Sequence, residues 1–203
     1  MRKIFVVGIG TNVGKTVVSA VLVEALKADY FKPIQCGSLD DSDTMWVRKL
    51  VENKESVIHA EAHRLSGFMS PHAAAKADGV ELVINELALP DTANTLIIEG
   101  AGGLMVPLND KEMVVDLIPH FDAEAILVSQ NYLGSINHTL LSIELLRSKG
   151  VKIAGIIFNG DTVSTTEEVI LGYSGIPCLG RIAQEEHLNK EVISQYAAKF
   201  ENV

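Results

Sequence analysis

What this chain lacks narrows its chemistry first. Only two cysteines occur, Cys36 and Cys178, far apart and without Cys-x-x-Cys spacing. Free thiols in a reducing compartment, the cytoplasm, are therefore the expectation. No basic run occurs, and 17 Lys and Arg against 26 Asp and Glu give a formal net charge of −9. Each phosphate contact needs a cation, so nucleic acid is excluded as a partner. No stretch of about 18 uncharged apolar residues is present, and no membrane span is expected. Met1-Arg2-Lys3 leads directly into a short apolar strand, shorter than a secretory apolar segment, so no signal peptide is expected. There is no linker rich in Pro, Gly or Ser, no internal repeat and no low-complexity tract. The 203 residues, 47% of them hydrophobic, are expected to build a single domain over 1–203 with a sizeable core.

What is present is concentrated near the start. Ile4-Phe5-Val6-Val7 is a β-branched, apolar run, followed by Gly8-Ile9-Gly10-Thr11-Asn12-Val13-Gly14-Lys15-Thr16-Val17 and an apolar-periodic segment. A strand, a glycine-rich turn, Lys-Thr and a helix in that order form the P-loop arrangement. Backbone N–H groups of such a turn make an anion nest, and the helix N-terminus adds partial positive charge. A helix terminus contributes only about 0.3–2 kcal/mol to a nearby anion. Lys15, and a magnesium ion on the Thr16 hydroxyl, would supply the rest. The strict spacing needs glycine at position 9, where this chain has Ile9, so the loop is a variant. A dinucleotide fingerprint, Gly8-x-Gly10-x-x-x-Gly14, is the competing interpretation. It calls for an acidic residue ending the second strand, and that strand ends in Lys32.

Downstream, strand-like and helix-like segments alternate. The periodicity predicts a helix over 15–27, a strand over 30–33 with 34–38 as its loop, and a capped helix after Asp41-Ser42-Asp43. Residues 54–80 are less regular, with a helix start at Ser70-Pro71, and another helix is expected over 81–89. Strands follow at 95–99, broken at once by Gly100-Ala101-Gly102-Gly103, at 125–128, at 153–158 and at 177–179. Helices are expected over 136–149 and 185–200. Continuous apolar strands separated by helices imply an α/β fold: a doubly wound, mostly parallel sheet with helices on both faces, of the P-loop NTPase type. Ligands in such sheets sit beyond the carboxyl ends of the strands. The loops at 8–16, 32–38, 99–103, 131–135 and 159–160 should therefore share one rim.

Among these loops Glu99 ends an apolar strand, and burying it unpaired would cost several kcal/mol. Either a metal ion or the backbone N–H groups of the Gly102-Gly103 turn would satisfy it. Asp43 is a metal-directed acid or a helix cap, and spacing does not choose among Asp40, Asp41 and Asp43. Lys32, between Phe31 and Pro33, is a surface lysine or a cation leaving the strand end at a fixed angle.

The chain resembles the dethiobiotin synthetases. The likeness runs through residues 8–17, Phe31-Lys32-Pro33 with Gly37-Ser38, Ser42-Asp43 and Ser70-Pro71-His72. It continues in Glu99-Gly100-Ala101-Gly102-Gly103 with Pro107-Leu108, in Leu133-Gly134-Ser135-Ile136-Asn137-His138, and in Asn159. The resemblance implies ATP- and magnesium-dependent closure of the ureido ring of dethiobiotin from 7,8-diaminopelargonic acid and carbon dioxide. It implies catalytic roles for Lys15, Lys32 and Thr11, and magnesium on Thr16, Asp43 and Glu99. ATP would lie on Asn12, Val13, Gly14, Lys15, Thr16, Val17, Asp43, Glu99, Gly100, Ala101 and Gly102, with Asn159 at the adenine edge. Thr11, Cys36, Pro71, Gly134, Ser135 and Asn137 would bind the diamine substrate, the last three from the partner subunit of a homodimer. Three positions depart from the family pattern. Asn12 stands where an acid is common, Cys36 replaces a usual serine, and Ala183 follows Ile182 where proline often occurs. A partitioning or regulatory P-loop ATPase and a nicotinamide-dependent oxidoreductase are the alternatives. The former usually carries an additional lysine near the start of the glycine loop, and 8–14 contain none.

Overall fold

A computed structural model describes residues 1–203. The chain runs β1 (Lys3–Gly8), α1 (Lys15–Leu26), β2 (Asp29–Phe31), β3 (Ile34–Cys36), α2 (Asp43–Leu50), β4 (His63–Leu65), α3 (Pro71–Asp78), β5 (Leu96–Gly103) and α4 (Leu117–His120). It continues through β6 (Glu124–Gln130), α5 (Ser135–Ser148), β7 (Ile153–Asn159), α6 (Ser164–Ser174), β8 (Cys178–Ile182) and α7 (Lys190–Ala197). Six strands form one sheet in the order β2-β5-β1-β6-β7-β8, and every pairing in it is parallel.

The strands are apolar on both faces because each face has a helical layer to bury. Phe5 and Val7 face one core with Ile98, Leu127 and Phe158, covered by Ile143 of α5 and Ile170 of α6. Ile4 and Val6 face the other with Ile97, Ile126 and Ile157, covered by Val18, Val21 and Leu22 of α1, Val47 of α2 and Ile193 of α7. The period-2 alternation of β1 thus assigns the layers. No helix is long and apolar enough to cross a membrane.

Several sequence expectations are corrected. Residues 34–36, expected as loop, form β3, which pairs in parallel with β4 in a separate two-stranded sheet. The helix expected over 81–89 is absent apart from one 3₁₀ turn at Ile84–Glu86. Leu82, Ile84 and Leu87 are each buried, and Val83 is extended, so the segment is pinned to the core by anchors rather than by one helical stripe. Gly100–Gly103 does not break β5, which continues through it and pairs Gly103 with Gly8. The glycines serve close approach: a Cβ at Gly100 would lie 2.9 Å from Phe5 Cε1. The last helix starts at Lys190, not 185, where the Asn189 side chain caps it by accepting from Val192 N–H at 2.9 Å. Helix α6 was not expected from the sequence.

Candidate active site

The turn after β1 is shaped by steric exclusion. A Cβ at Gly8 would stand 2.5 Å from Val13 Cγ2, so Val13 can bury itself beneath the loop. Asn12 and Gly14 take left-handed φ values of 59° and 89°, which Asn and Gly tolerate best. Gly14 is the N-cap of α1 and makes no side-chain capping bond, so the first-turn N–H groups are free of a side-chain cap. Lys15 Nζ donates to Gly10 O at 2.9 Å, folding the cation over the loop.

The register of β2 against β5, Phe31 opposite Ile98, brings Lys32 beside Glu99. Lys32 Nζ lies 3.0 Å from Glu99 Oε1 and also contacts Asp43 Oδ2. Thr16 Oγ1 donates to Glu99 Oε1 at 2.9 Å. Tyr30 OH donates to Glu99 Oε2 at 2.9 Å. Glu99 is therefore satisfied by Thr16, Tyr30 and Lys32, not by the Gly102-Gly103 turn. Ser42, not Asp43, is the N-cap of α2, accepting from Met45 N–H, which leaves the Asp43 carboxylate for Lys32. Gln35 holds this arrangement from behind: its Oε1 accepts from Asp43 N–H at 3.3 Å and its Nε2 donates to Gly37 O at 3.1 Å.

Burial and charge set the protonation states. Burial lowers the Lys15 ammonium to about 8, helped by Lys32 and opposed by Glu99 and Asp43. Burial also acts to lower Lys32, but Glu99 and Asp43 outweigh it and hold that ammonium above its ordinary value. Burial pushes the Asp43 carboxyl up, yet Lys32, Thr16 and Lys15 together bring it below the usual range. The Tyr30 phenol is held well above its ordinary value by burial and by Glu99. Burial pushes the Cys36 thiol up to about 11, so it borders the cleft as a neutral thiol.

Lys15, Lys32, Cys36, Asp43 and Glu99 border a cleft of about 760 Å³. Of the residues anticipated from sequence, Thr11, Asn12, Gly14, Lys15, Thr16, Val17, Lys32, Cys36, Asp43, Pro71, Glu99, Ala101 and Gly102 line it. Val13 and Gly100 lie beneath, and Asn159 Nδ2 donates to Val13 O at 3.2 Å, bracing the loop from β7. Gly134, Ser135 and Asn137 do not line the cleft: they begin α5, beyond β6 on the same rim. Tyr30 and Gln35 were not anticipated. Tyr30 stands two residues before Lys32, and the strand period that puts both on one face was the available signal.

The fit to a divalent cation follows from the donor set. One hydroxyl and two carboxylates gather around the Lys32 ammonium, hard oxygens of the kind magnesium takes. There is no cluster of three or more His, Cys, Asp or Glu side chains. Magnesium is commonly held by one or two carboxylates with phosphates and water completing the shell, so a dedicated protein cage is not required.

A family profile described as an AAA domain matches residues 2–192. The "ATP-dependent dethiobiotin synthetase BioD" of Christiangramia forsetii is 55% identical over 199 residues, 98% of this chain and 96% of that protein. The protein of the same name from Cytophaga hutchinsonii is 50% identical over 204 residues, covering 100% and 98%. Among solved structures, the cell division ATPase MinD of Pyrococcus furiosus superposes with a TM-score of 0.60 at 17% identity, covering 99% of each chain. That likeness concerns the fold.

Proposed function

The chain belongs to the ATP-dependent dethiobiotin synthetases, and from that premise we propose how its cleft performs the reaction. The enzyme is a ligase. One amine of 7,8-diaminopelargonic acid captures carbon dioxide as a carbamate, whose oxygen attacks the γ-phosphate of ATP. The second amine then attacks the carbonyl of the carbamic-phosphoric anhydride, closes the ureido ring and expels phosphate, leaving dethiobiotin and ADP.

The observation that carries this assignment is two buried ammonium groups, from different strands, on one cleft: Lys15 after β1 and Lys32 after β2. Carbamate and γ-phosphate are both anions, and phosphoryl transfer depends on positioning and on charge placed where it develops. Lys15 and the first-turn N–H groups of α1 hold the β- and γ-phosphates. Lys32 faces the carbamate from the other side. Thr11 and Pro71 border the diamine end, and Cys36 offers a neutral thiol and its backbone where a serine hydroxyl is usual. Thr16, Asp43 and Glu99 would hold magnesium, which when bound neutralises phosphate charge; the Lys32 ammonium now bridges the same two carboxylates. Ala101 and Gly102 border the phosphates, and Asn159 approaches the adenine with the amide oxygen left over from its bond to Val13.

Gly134, Ser135 and Asn137 take the substrate carboxylate at the N-terminus of α5, presented to the cleft of a partner subunit in a homodimer. Free Cys36 and Cys178 suit a cytoplasmic, reducing setting, and the whole of 1–203 acts as one ligase domain. Incubating the protein with the diamine, bicarbonate, magnesium and ATP should yield the cyclic urea by mass spectrometry. ADP release without that product would overturn the assignment.

A further inference from the structure

Tyr30 takes no part in the reaction as described, yet its phenol meets the acid at the middle of the cation site. The side chain is fully buried, and its hydroxyl donates to Glu99 Oε2 at 2.9 Å. The other oxygen of that carboxylate, Oε1, receives Thr16 at 2.9 Å and Lys32 at 3.0 Å. The two oxygens thus have separate duties. The terminal torsion of a glutamate is broad and nearly two-fold, so nothing within Glu99 fixes the carboxylate plane. The phenol is fixed: Tyr30 pairs with Ile97 on the strand that carries Glu99, and its ring is held in the core between the sheet and α1 and α2.

We infer that Tyr30 is a positioning residue for Glu99: its hydroxyl pins Oε2 at the rear and turns Oε1 toward Thr16 and the divalent cation. The inference rests on the assignment of Glu99 to magnesium in the proposed function. A purely structural role would use the same hydrogen bond only to satisfy a buried hydroxyl, and the two roles differ in what they do to metal affinity.

Tyr30→Phe retains the ring and removes the donor. Free Mn²⁺, followed by electron paramagnetic resonance while protein and ADP are titrated in, reports metal affinity without turnover. Tyr30→Phe should weaken Mn²⁺ binding about tenfold or more, the scale of lost outer-shell partners, with ADP affinity in the absence of metal unchanged. Glu99→Gln should weaken Mn²⁺ binding too, and adding Tyr30→Phe to it should cost nothing further, because the phenol acts only through that carboxylate. Replacing Tyr30 by 4-aminophenylalanine, which keeps a ring and a donor, should restore wild-type Mn²⁺ affinity; this replacement keeps the role of Tyr30 open to refutation even if Tyr30→Phe does not fold. Wild-type Mn²⁺ affinity in Tyr30→Phe beside a weakened Glu99→Gln would overturn the role of Tyr30 alone, as would a 4-aminophenylalanine protein that binds Mn²⁺ weakly. Unchanged Mn²⁺ binding in Glu99→Gln would overturn the metal assignment and this inference with it.

Discussion

Lys32 shows how one side chain can serve both stability and chemistry. It is 3% exposed and meets two carboxylates. Removing one partner of a buried ion pair leaves an uncompensated charge and costs about 3–5 kcal/mol. Lys32→Ala should therefore lower the metal-free stability by about that amount, and magnesium should raise the melting temperature of the variant more than that of the wild type, because a second cation can replace the first. Turnover should fall while ADP affinity stays near wild type, since the phosphate loop lies on another strand. Equal magnesium effects on both melting curves would refute this account. Gly14 is constrained in a different way. A Cβ there would stand 2.2 Å from Asn159 Nδ2, and φ of 89° would remain unfavourable even without that clash. Gly14→Ala should weaken ADP binding, and Gly14→Ala with Asn159→Ala should not restore it, because the left-handed backbone still costs about 1–2 kcal/mol and the double variant also loses the amide proposed for the adenine. Isothermal titration of the single and double variants measures the difference. Lys15 and Thr16 were legible in the sequence because their types and spacing are tied to a phosphate loop, and Glu99 because a carboxylate ending an apolar strand needs a partner. That Tyr30 and Lys32 would both meet Glu99 was not, because pairing between β2 and β5 is a long-range fact that no local spacing encodes.

At the level of elements, β2 is anchored at both of its ends. The carboxyl end of β2 carries Lys32; its amino end carries Asp29, also buried. Asp29 accepts from Val57 N–H at 2.8 Å, Thr92 Oγ1 at 2.6 Å and Asn94 Nδ2 at 3.0 Å, with His59 Nε2 at 3.3 Å. Burial pushes this carboxyl up, but those bonds outweigh it and hold it below the usual range. A depressed folded-state value means that the contribution is complete above the unfolded value, about 3.9, and fades as pH falls through the folded one. Asp29→Asn should therefore destabilise the protein at pH 7 by about 1.5–3 kcal/mol, with variant and wild-type denaturation midpoints converging below pH 4 or so. A constant gap across that range would place the effect elsewhere. Such ties also explain which elements sequence could anticipate. β1, β6 and β7 are continuous apolar runs buried on both faces, and α1 follows from the motif. β3 and β4 are three residues each, and α6 buries only Glu167, Ile170 and Ser174, too few apolar positions to display a helical period. The segment 81–89 has apolar residues in plenty, but they are spent on separate anchor points, which composition cannot distinguish from a stripe.

For the molecule as a whole, the parallel sheet brings the ends of β1, β2 and β5 to one cleft and leaves the end of β6 beside it. The cleft therefore gathers the phosphate-loop, Lys32 and Glu99 groups and leaves the N-terminus of α5 outside. Gly134, Ser135 and Asn137 stand outside the cleft, and the surface around them is unusually apolar: Leu133 is fully exposed, and Met105 and Leu141 are 62% and 61% exposed. Met105 and Leu141 also border a second cavity of about 370 Å³ with His138 and Leu145. Exposed apolar side chains clustered around a cavity mark an interaction surface. The proposed function needs such a contact to bring the N-terminus of α5 from one protomer to the cleft of its partner. Sedimentation should accordingly show a dimer. Leu141→Asp should yield a monomer that binds ADP normally but has a raised KM for the diamine, because each charge forced into an isologous contact meets its own copy. A wild-type monomer with full turnover, or a monomeric Leu141→Asp enzyme whose diamine KM is unchanged, would show that one chain supplies the whole site.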